Sequence, residues 1–306
     1  MELRPQRVNE LLVSATGRLD ASGSETARLD TEVLLAYVLG IDRSGVVAHP
    51  EAVLSTAQLD TFEGYLRRRE AGEPVAYIRG IKEFYGTAIS VDARVLIPRP
   101  ETETLVELAL ARITDDLTGT PRADHAEPYL VWDMGTGSGA ISVAIALELR
   151  RRRYGEAVRH FVSDISGDAR DVATINVVSH GVAHLFTFAE GDLTDVAPLP
   201  GRPVDLLVAN LPYIPSRLLP DLPVAASFEP AGALDGGPDG LDVIRQLLPR
   251  LPQVLDAGAA ALLEIGSDQG EALGAAVEAA LPGWTCTIHE DLSGSPRVAQ
   301  VEHPRD

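Results

Sequence analysis

Four consecutive residues, Asn210-Leu211-Pro212-Tyr213, follow directly on an apolar run, Val204 to Ala209, that reads as a buried strand. A turn at that place gathers a side-chain amide, a backbone carbonyl with no partner inside a strand, and an aromatic face. These are the groups that grip a planar NH2. The nitrogen of a carboxamide or an aromatic amine is a poor nucleophile, because its lone pair is delocalised. Two acceptors on its two N–H bonds hold it with the lone pair aimed at an electrophile. The side-chain oxygen of Asn210 and the backbone carbonyl of Leu211 can supply them, and Tyr213 can pack on the planar group. Such chemistry runs on orientation and preorganised dipoles rather than on a strong base.

A second constellation lies upstream. Asp133-Met134-Gly135-Thr136-Gly137-Ser138-Gly139 follows the apolar run Tyr129 to Trp132 and precedes a helical pattern from Ala140. Strand, glycine turn and helix form the entrance of a nucleotide-binding fold, the glycines letting the backbone turn tightly and approach a ligand. The spacing is Gly-x-Gly-x-Gly, which departs from the dinucleotide pattern. A second strand, Val158 to Ser163, ends in Asp164, placed either to accept from two ribose hydroxyls or to cap the next helix. A third, Leu185 to Ala189, leads to Asp192, placed for an adenine amino group, and Leu193, placed to pack on the ring. The expected cofactor contacts are therefore Gly135, Thr136, Gly137, Ser138, Gly139, Asp164, Asp192, Leu193 and Asn210. Together with the catalytic turn Asn210, Leu211, Pro212 and Tyr213 they point to methyl transfer from S-adenosylmethionine to a planar nitrogen.

The elements that must position these groups fall into three expected segments. Residues 1–80 show helical spacing (Val8, Leu11, Leu12, Ala15, Leu19, and again Leu59, Phe62, Leu66), with Ser24 and Ser55 as helix caps and Gly40 and Gly72 as stops. This bundle is a candidate for docking a substrate or a partner. Residues 81–97 read as a hairpin linker, with extended pieces at Glu83 to Gly86, Ile89 to Val91 and Val95 to Ile97. Residues 98–306 hold the alternating strands and helices. Pro98 to Glu103 is either a rigid helix start or a segment lying across the cofactor pocket. Residues 114–128 read as a loop, and 214–240 as a long Pro- and Gly-rich loop at the substrate entrance. A helix is expected over 241–255, kinked by Pro249 and Pro252. Glu264, in the strand Ala259 to Ile265, is either a structural acid or part of the site.

Composition bounds the rest. The chain has 306 residues and a formal net charge of -19, a poor balance for non-specific nucleic-acid binding. One cysteine, Cys286, excludes an internal disulfide and a cysteine-based zinc cluster, and the histidines lack metal-ligand spacing, so no metal is expected. No apolar run approaches the ~20 residues of a membrane span. Met1 to Arg7 lacks an apolar signal region, so a cytoplasmic location is expected.

Stretches along nearly the whole chain resemble the PrmC/HemK family, the glutamine methyltransferases of peptide chain release factors. They include Gly72-Glu73-Pro74-Val75-Ala76-Tyr77, Glu83-Phe84-Tyr85-Gly86, Leu96 to Glu103, the glycine turn and the Asn210 turn with Ile214-Pro215. They continue with Phe228-Glu229-Pro230, Gly236 to Leu241, Leu263 to Gly266, Asp291 to Gly294 and Arg297. The resemblance implies an α/β fold: a Rossmann-like, seven-stranded class I methyltransferase domain preceded by a small helical bundle and a β-hairpin linker. It implies transfer of methyl from S-adenosylmethionine to the glutamine amide of the Gly-Gly-Gln motif in class 1 release factors, with no membrane and no direct nucleic-acid partner. It also favours an active-site role for Pro98 to Glu103. Leu211 stands where the family usually has proline. Asn-Leu-Pro-Tyr also looks like the turn of ribosomal RNA adenine dimethylases, which keeps an adenine-amine methyltransferase acting on DNA or RNA as the alternative. A cofactor-binding adaptor without catalysis is a third reading.

Overall fold

The computed structural model describes residues 6–119, 127–197 and 199–303. They divide into two compact units: the chain up to Ile81 together with Leu222–Phe228, and Lys82–Asp221 together with Glu229 onward.

The first unit holds α1 (Val8–Ala21), α2 (Ala27–Leu39), α3 (Arg43–Ala48), α4 (Thr56–Glu70) and α5 (Val75–Arg79). The helical spacing puts Val8, Leu11, Leu12, Ala15 and Leu19 on one buried face of α1. That face meets Leu34 and Leu35 of α2 and Leu59, Phe62 and Leu66 of α4 in one core. Burying each such side chain stabilises by roughly 1.5–3 kcal/mol against the entropy of ordering it. Ser55 caps α4 reciprocally with Gln58, at 3.3 and 3.0 Å. Ser24 does not cap α2, whose N-cap is Thr26; its hydroxyl donates to Asp30 instead. The six-residue α3 went unforeseen, because so short a helix shows no period.

The second unit begins with a hairpin, β1 (Ile81–Phe84) and β2 (Thr87–Ser90). Val95 to Ile97, expected as a further extended piece, joins no ladder. After the single turn Pro100–Thr102 comes α6 (Glu103–Thr118), which runs into the stretch expected to be loop. Its last turn is held by Arg112 and Asp116, an i,i+4 pair at 2.7 Å. Residues 120–126, the middle of that expected loop, lie outside the described residues.

The main sheet contains β3 (Tyr129–Met134), β4 (Val158–Asp164), β5 (Phe186–Asp192), β6 (Asp195–Ala197), β7 (Val204–Ala209), β8 (Leu255–Glu264), β9 (Thr285–Glu290) and β10 (Pro296–Glu302). Their order is β6-β5-β4-β3-β7-β8-β10-β9. The strands β5, β4, β3, β7 and β8 run parallel, and β10 joins β8 antiparallel with β9 outside it. These are the seven expected strands. The eighth, β6, is a three-residue return antiparallel to β5. Gly191 permits it: a Cβ there would run into the Asp195 carbonyl. Every residue of the central β7 is buried, as a strand covered on both faces requires. Its Asp205 is paired with Arg202 at 2.9 Å and accepts the Leu130 N–H at 2.7 Å.

The layers on the sheet include α7 (Ala140–Arg151), α8 (Gly167–Ser179) and α11 (Gly270–Ala280). The helix expected over 241–255 is broken into α9 (Asp242–Leu247), a short turn at Leu248–Arg250 and α10 (Leu251–Val254), with Pro249 and Pro252 each opening a new piece. Asn176 of α8 is fully buried. It accepts the Ser90 N–H at 2.8 Å and donates to the carbonyls of Ser90, at 3.0 Å, and Ser138, at 2.8 Å. One side chain thereby ties the hairpin to the glycine turn.

Candidate active site

The carboxyl ends of β3, β4, β5, β7 and β8 share one edge of the sheet, and a cavity of about 370 Å³ opens there. This is where open α/β sheets bind ligands, and the volume suits a cofactor-sized molecule.

After β3 the chain turns on Gly135, Gly137 and Gly139, with φ of 69°, 54° and 77°. Residues with a Cβ rarely adopt such angles. The Gly135 and Thr136 N–H groups donate to the Ser163 carbonyl at 2.9 and 3.0 Å, which pins the turn to the end of β4. Asp164 accepts the Gly137 N–H at 2.9 Å on one oxygen and the Ser166 N–H at 2.9 Å on the other. Burial raises its pKa, opposed by those backbone bonds. A carboxylate oxygen accepts more than one bond, so Asp164 keeps capacity toward the cavity it lines. Beneath the turn, Asp133 is fully buried and accepts from Thr136 Oγ1 at 2.9 Å and the Ser142 N–H at 3.3 Å. Burial pushes its carboxyl up to about 6.

Asp192 and Leu193 also line the cavity, Asp192 exposed and Leu193 buried. Leu193 sits at φ 51°, a costly conformation for a leucine, at the bend between β5 and β6. Ile165, 69% exposed, lines the cavity as well. Two apolar side chains are thus available to a flat ring, of which the sequence reading found Leu193 and missed Ile165.

At the end of β7 the turn Asn210 to Tyr213 is held from behind. Gln269 donates to the Tyr213 carbonyl at 2.8 Å, and the Ile214 N–H donates to the Leu234 carbonyl at 3.0 Å. Gly236 and Gly240 pack on the turn: a Cβ on Gly240 would strike the Tyr213 carbonyl, and one on Gly236 would lie 2.7 Å from the Pro212 carbonyl. Among the described residues neither Asn210 Oδ1 nor the Leu211 carbonyl accepts a hydrogen bond, whereas Asn210 Nδ2 donates to Thr102 Oγ1 at 3.2 Å. Two unused acceptors therefore stand one residue apart, beside the cavity. The Tyr213 hydroxyl donates to Glu264 Oε1 at 3.1 Å. Burial raises both groups, Glu264 to about 7.

The structure gathers the expected residues around one cavity with two exceptions. Gly139 and Tyr213 do not line it. Gly139 closes the packing of α7 on α8, where a Cβ would lie 3.1 Å from that of Ala173, and Tyr213 stands behind the grip on Glu264. Sequence reading missed the walls contributed by Arg94 and Val95, while Pro230, Gly232 and Ala233 come from the loop expected at the substrate entrance. Two of these walls are clasped: Glu229, whose side chain is 1% exposed, pairs with Arg99 at 2.6 Å. The repeated prolines beside Arg99 and Glu229 were the available signal. Pro98 and Thr102 line the cavity, so the segment Pro98 to Glu103 is part of its wall.

Residues 10–80 match the family model of the PrmC N-terminal domain. A release factor glutamine methyltransferase of Moorella thermoacetica is 42% identical, over 87% of this chain and 88% of its own length. One from Bacillus cereus is 34% identical over 97% and 99%. Among solved structures, the hMettl16 catalytic domain in complex with MAT2A 3′UTR hairpin 1 aligns with a TM-score of 0.52 at 14% identity, covering 81% of each chain, which is a likeness of fold alone. With identity at this level along most of its length, the chain belongs to the release factor glutamine methyltransferase family.

Proposed function

We propose that this chain transfers a methyl group from S-adenosylmethionine to the side-chain amide nitrogen of the glutamine in the Gly-Gly-Gln motif of class 1 peptide chain release factors. The observation that carries the reading is the pair of unused acceptors, Asn210 Oδ1 and the Leu211 carbonyl, beside a cavity built for a nucleoside. The residues present fit the cofactor. Asp164 retains acceptor capacity for ribose hydroxyls, exposed Asp192 can take an amino group, and Ile165 and Leu193 give a flat ring two apolar neighbours. The N-terminus of α7 opens at the glycine turn and favours a carboxylate.

Bound S-adenosylmethionine supplies an electrophilic methyl group on a sulfonium. The chain does the orienting. Asn210 Oδ1 and the Leu211 carbonyl each accept one N–H of the glutamine amide, leaving the nitrogen lone pair to face the cavity. Pro212 holds the turn in shape, and Tyr213 braces it from behind through Glu264. Their dipoles are in place before the reaction, which is where such a site gains its rate. The walls from Leu96, Pro98 and Pro230 exclude water.

The first 80 residues serve as the docking domain for the release factor, residues 81–97 as the linker and residues 98–306 as the methyltransferase domain. No helix among the described residues is long and apolar enough to cross a membrane. The reading further places the protein in the cytoplasm, with a protein rather than a nucleic acid as acceptor, in keeping with its net charge of -19.

Labelled S-adenosylmethionine tests the reading against three acceptors: a release factor, its Gln→Ala variant and bulk nucleic acid. A single methyl on the wild-type factor, absent from the variant, is expected. Label confined to nucleic acid would replace this reading with the adenine one.

A further inference from the structure

Glu264, the last residue of β8, is fully buried, and neither of the two unused acceptors touches it. Its Oε1 accepts from the Tyr213 hydroxyl, while Oε2 has no hydrogen-bond partner among the described residues. Thr102, which also lines the cavity, is 3% exposed. Its hydroxyl stabilises the charged form of Glu264, but the contact falls short of full hydrogen-bond geometry. The same Thr102 oxygen accepts from Asn210 Nδ2 at 3.2 Å. Behind the grip, Asn210 is thus held by Thr102 and Tyr213 by Glu264.

The two ends of an asparagine amide have opposite hydrogen-bond sense. The grip needs Oδ1 toward the substrate, so Nδ2 must be taken on the protein side. Thr102 takes it, which leaves its own hydroxyl proton available to the carboxylate of Glu264. Protonating Glu264 reverses the chain. The carboxyl O–H turns to Thr102, the Thr102 O–H turns to Asn210, and the amide is asked for its oxygen on the wrong side. Asn210 would then present NH2 to the substrate NH2, donor against donor.

We propose that Thr102 and the Glu264 carboxylate form a positioning pair that sets which way the Asn210 amide faces, and that the grip is assembled only while Glu264 is ionised. This inference rests on the methyl-transfer reading above. The groups facing Glu264 are the Tyr213 hydroxyl and Thr102, which favour the charge, Arg297, which also favours it, and Glu101, which opposes it. Burial outweighs them and carries the group up to about 7. The carboxylate is lost as pH falls through that value, so kcat falls with it.

The test uses the full chain and a release factor, with kcat and KM measured separately between about pH 6 and pH 9. Glu264→Gln keeps the shape and removes the charge. It is expected to lower kcat at the upper pH by roughly 10- to 100-fold, leave cofactor affinity in place and abolish the acid limb of the profile. Thr102→Val should lose as much kcat, and Thr102→Ser should recover most of it. The double variant Thr102→Val/Glu264→Gln should cost about as much as either alone, because the two act as one unit. A Glu264→Gln protein with wild-type kcat, or one that keeps the acid limb, overturns the pair. If Glu264→Gln does not fold, equal kcat in Thr102→Val and Thr102→Ser overturns it instead. The wild type run alongside separates the two failures: no label on the release factor counts against the substrate reading, and a variant as fast as the wild type counts against the pair.

Discussion

On the β3–β4 side of the cavity the site is shaped by groups that lie close together in sequence. The glycine turn is shaped by its own φ angles and by N–H bonds to Ser163 and Asp164, within 30 residues of one another. On the β7–β8 side the supports are side chains brought from far apart. Asn210 is held by Thr102, 108 positions away, and Tyr213 by Glu264, 51 positions away. The first half is rigid because glycine backbone can adopt its angles and little else is asked of it. The second is rigid only if a distant network is complete. Substitutions should therefore act on binding in the first half and on turnover in the second.

The largest expected effect tests the second half. Asn210→Ala removes one of the two acceptors and should lower kcat by about 10²–10³-fold, the usual cost of losing one preorganised partner. Cofactor affinity should change by less than about fivefold, since Asn210 is one of many residues lining the cavity. Steady-state kinetics on a release factor and calorimetric cofactor binding read the two separately. If affinity falls in step with kcat, the division between the halves is wrong.

The same contrast explains what could be read in the sequence. The glycine turn, Asp164 and the strand pattern carry their meaning within short windows, so five parallel strands and the cofactor edge were legible. The Asn-x-Pro-Tyr turn was legible as a candidate site because all its groups are adjacent. The contacts that hold the two turns were not. Thr102, Gln269 and Asn176 are ordinary residues in helix-forming stretches, and only the folded chain shows Gln269 on the Tyr213 carbonyl or Asn176 on the Ser138 carbonyl. Strand β6 was missed because it depends on a single glycine two residues before a leucine at positive φ. The helical extension to Thr118 was missed because its polar residues resemble loop, while the pairing of Arg112 with Asp116 stabilises one more turn.

A smaller effect belongs to the first half. Asp164→Ala removes the acceptor of the Gly137 N–H and the carboxylate proposed for the ribose. It should weaken cofactor binding by about 10- to 100-fold, the range for losing hydrogen bonds to a charged group. At saturating cofactor, kcat should stay within about threefold, because the interaction is present equally before and during methyl transfer. A loss of kcat at saturation would show that the glycine turn also aims the methyl group, and the two halves would then be one device.

The smallest expected effect falls on the residue that belongs to both. Leu211 is 6% exposed, and its Cδ2 lies 3.1 Å from where a Cβ on Gly135 would stand, so its side chain packs on the cofactor turn. Its carbonyl belongs to the grip. Leu211→Pro keeps the carbonyl and most of the apolar volume, and the Leu211 N–H donates no hydrogen bond among the described residues that proline would remove. Proline also favours extended backbone at Asn210, which directly continues β7. We expect kcat within about threefold of the wild type and stability lower by about 1 kcal/mol, from the thinner contact with the core. Thermal melts and initial rates measure both. A tenfold fall in kcat would mean that the Leu211 side chain, and not only its carbonyl, sets the geometry of the grip. A fall confined to cofactor affinity would place the coupling between the halves at the contact of Leu211 with Gly135.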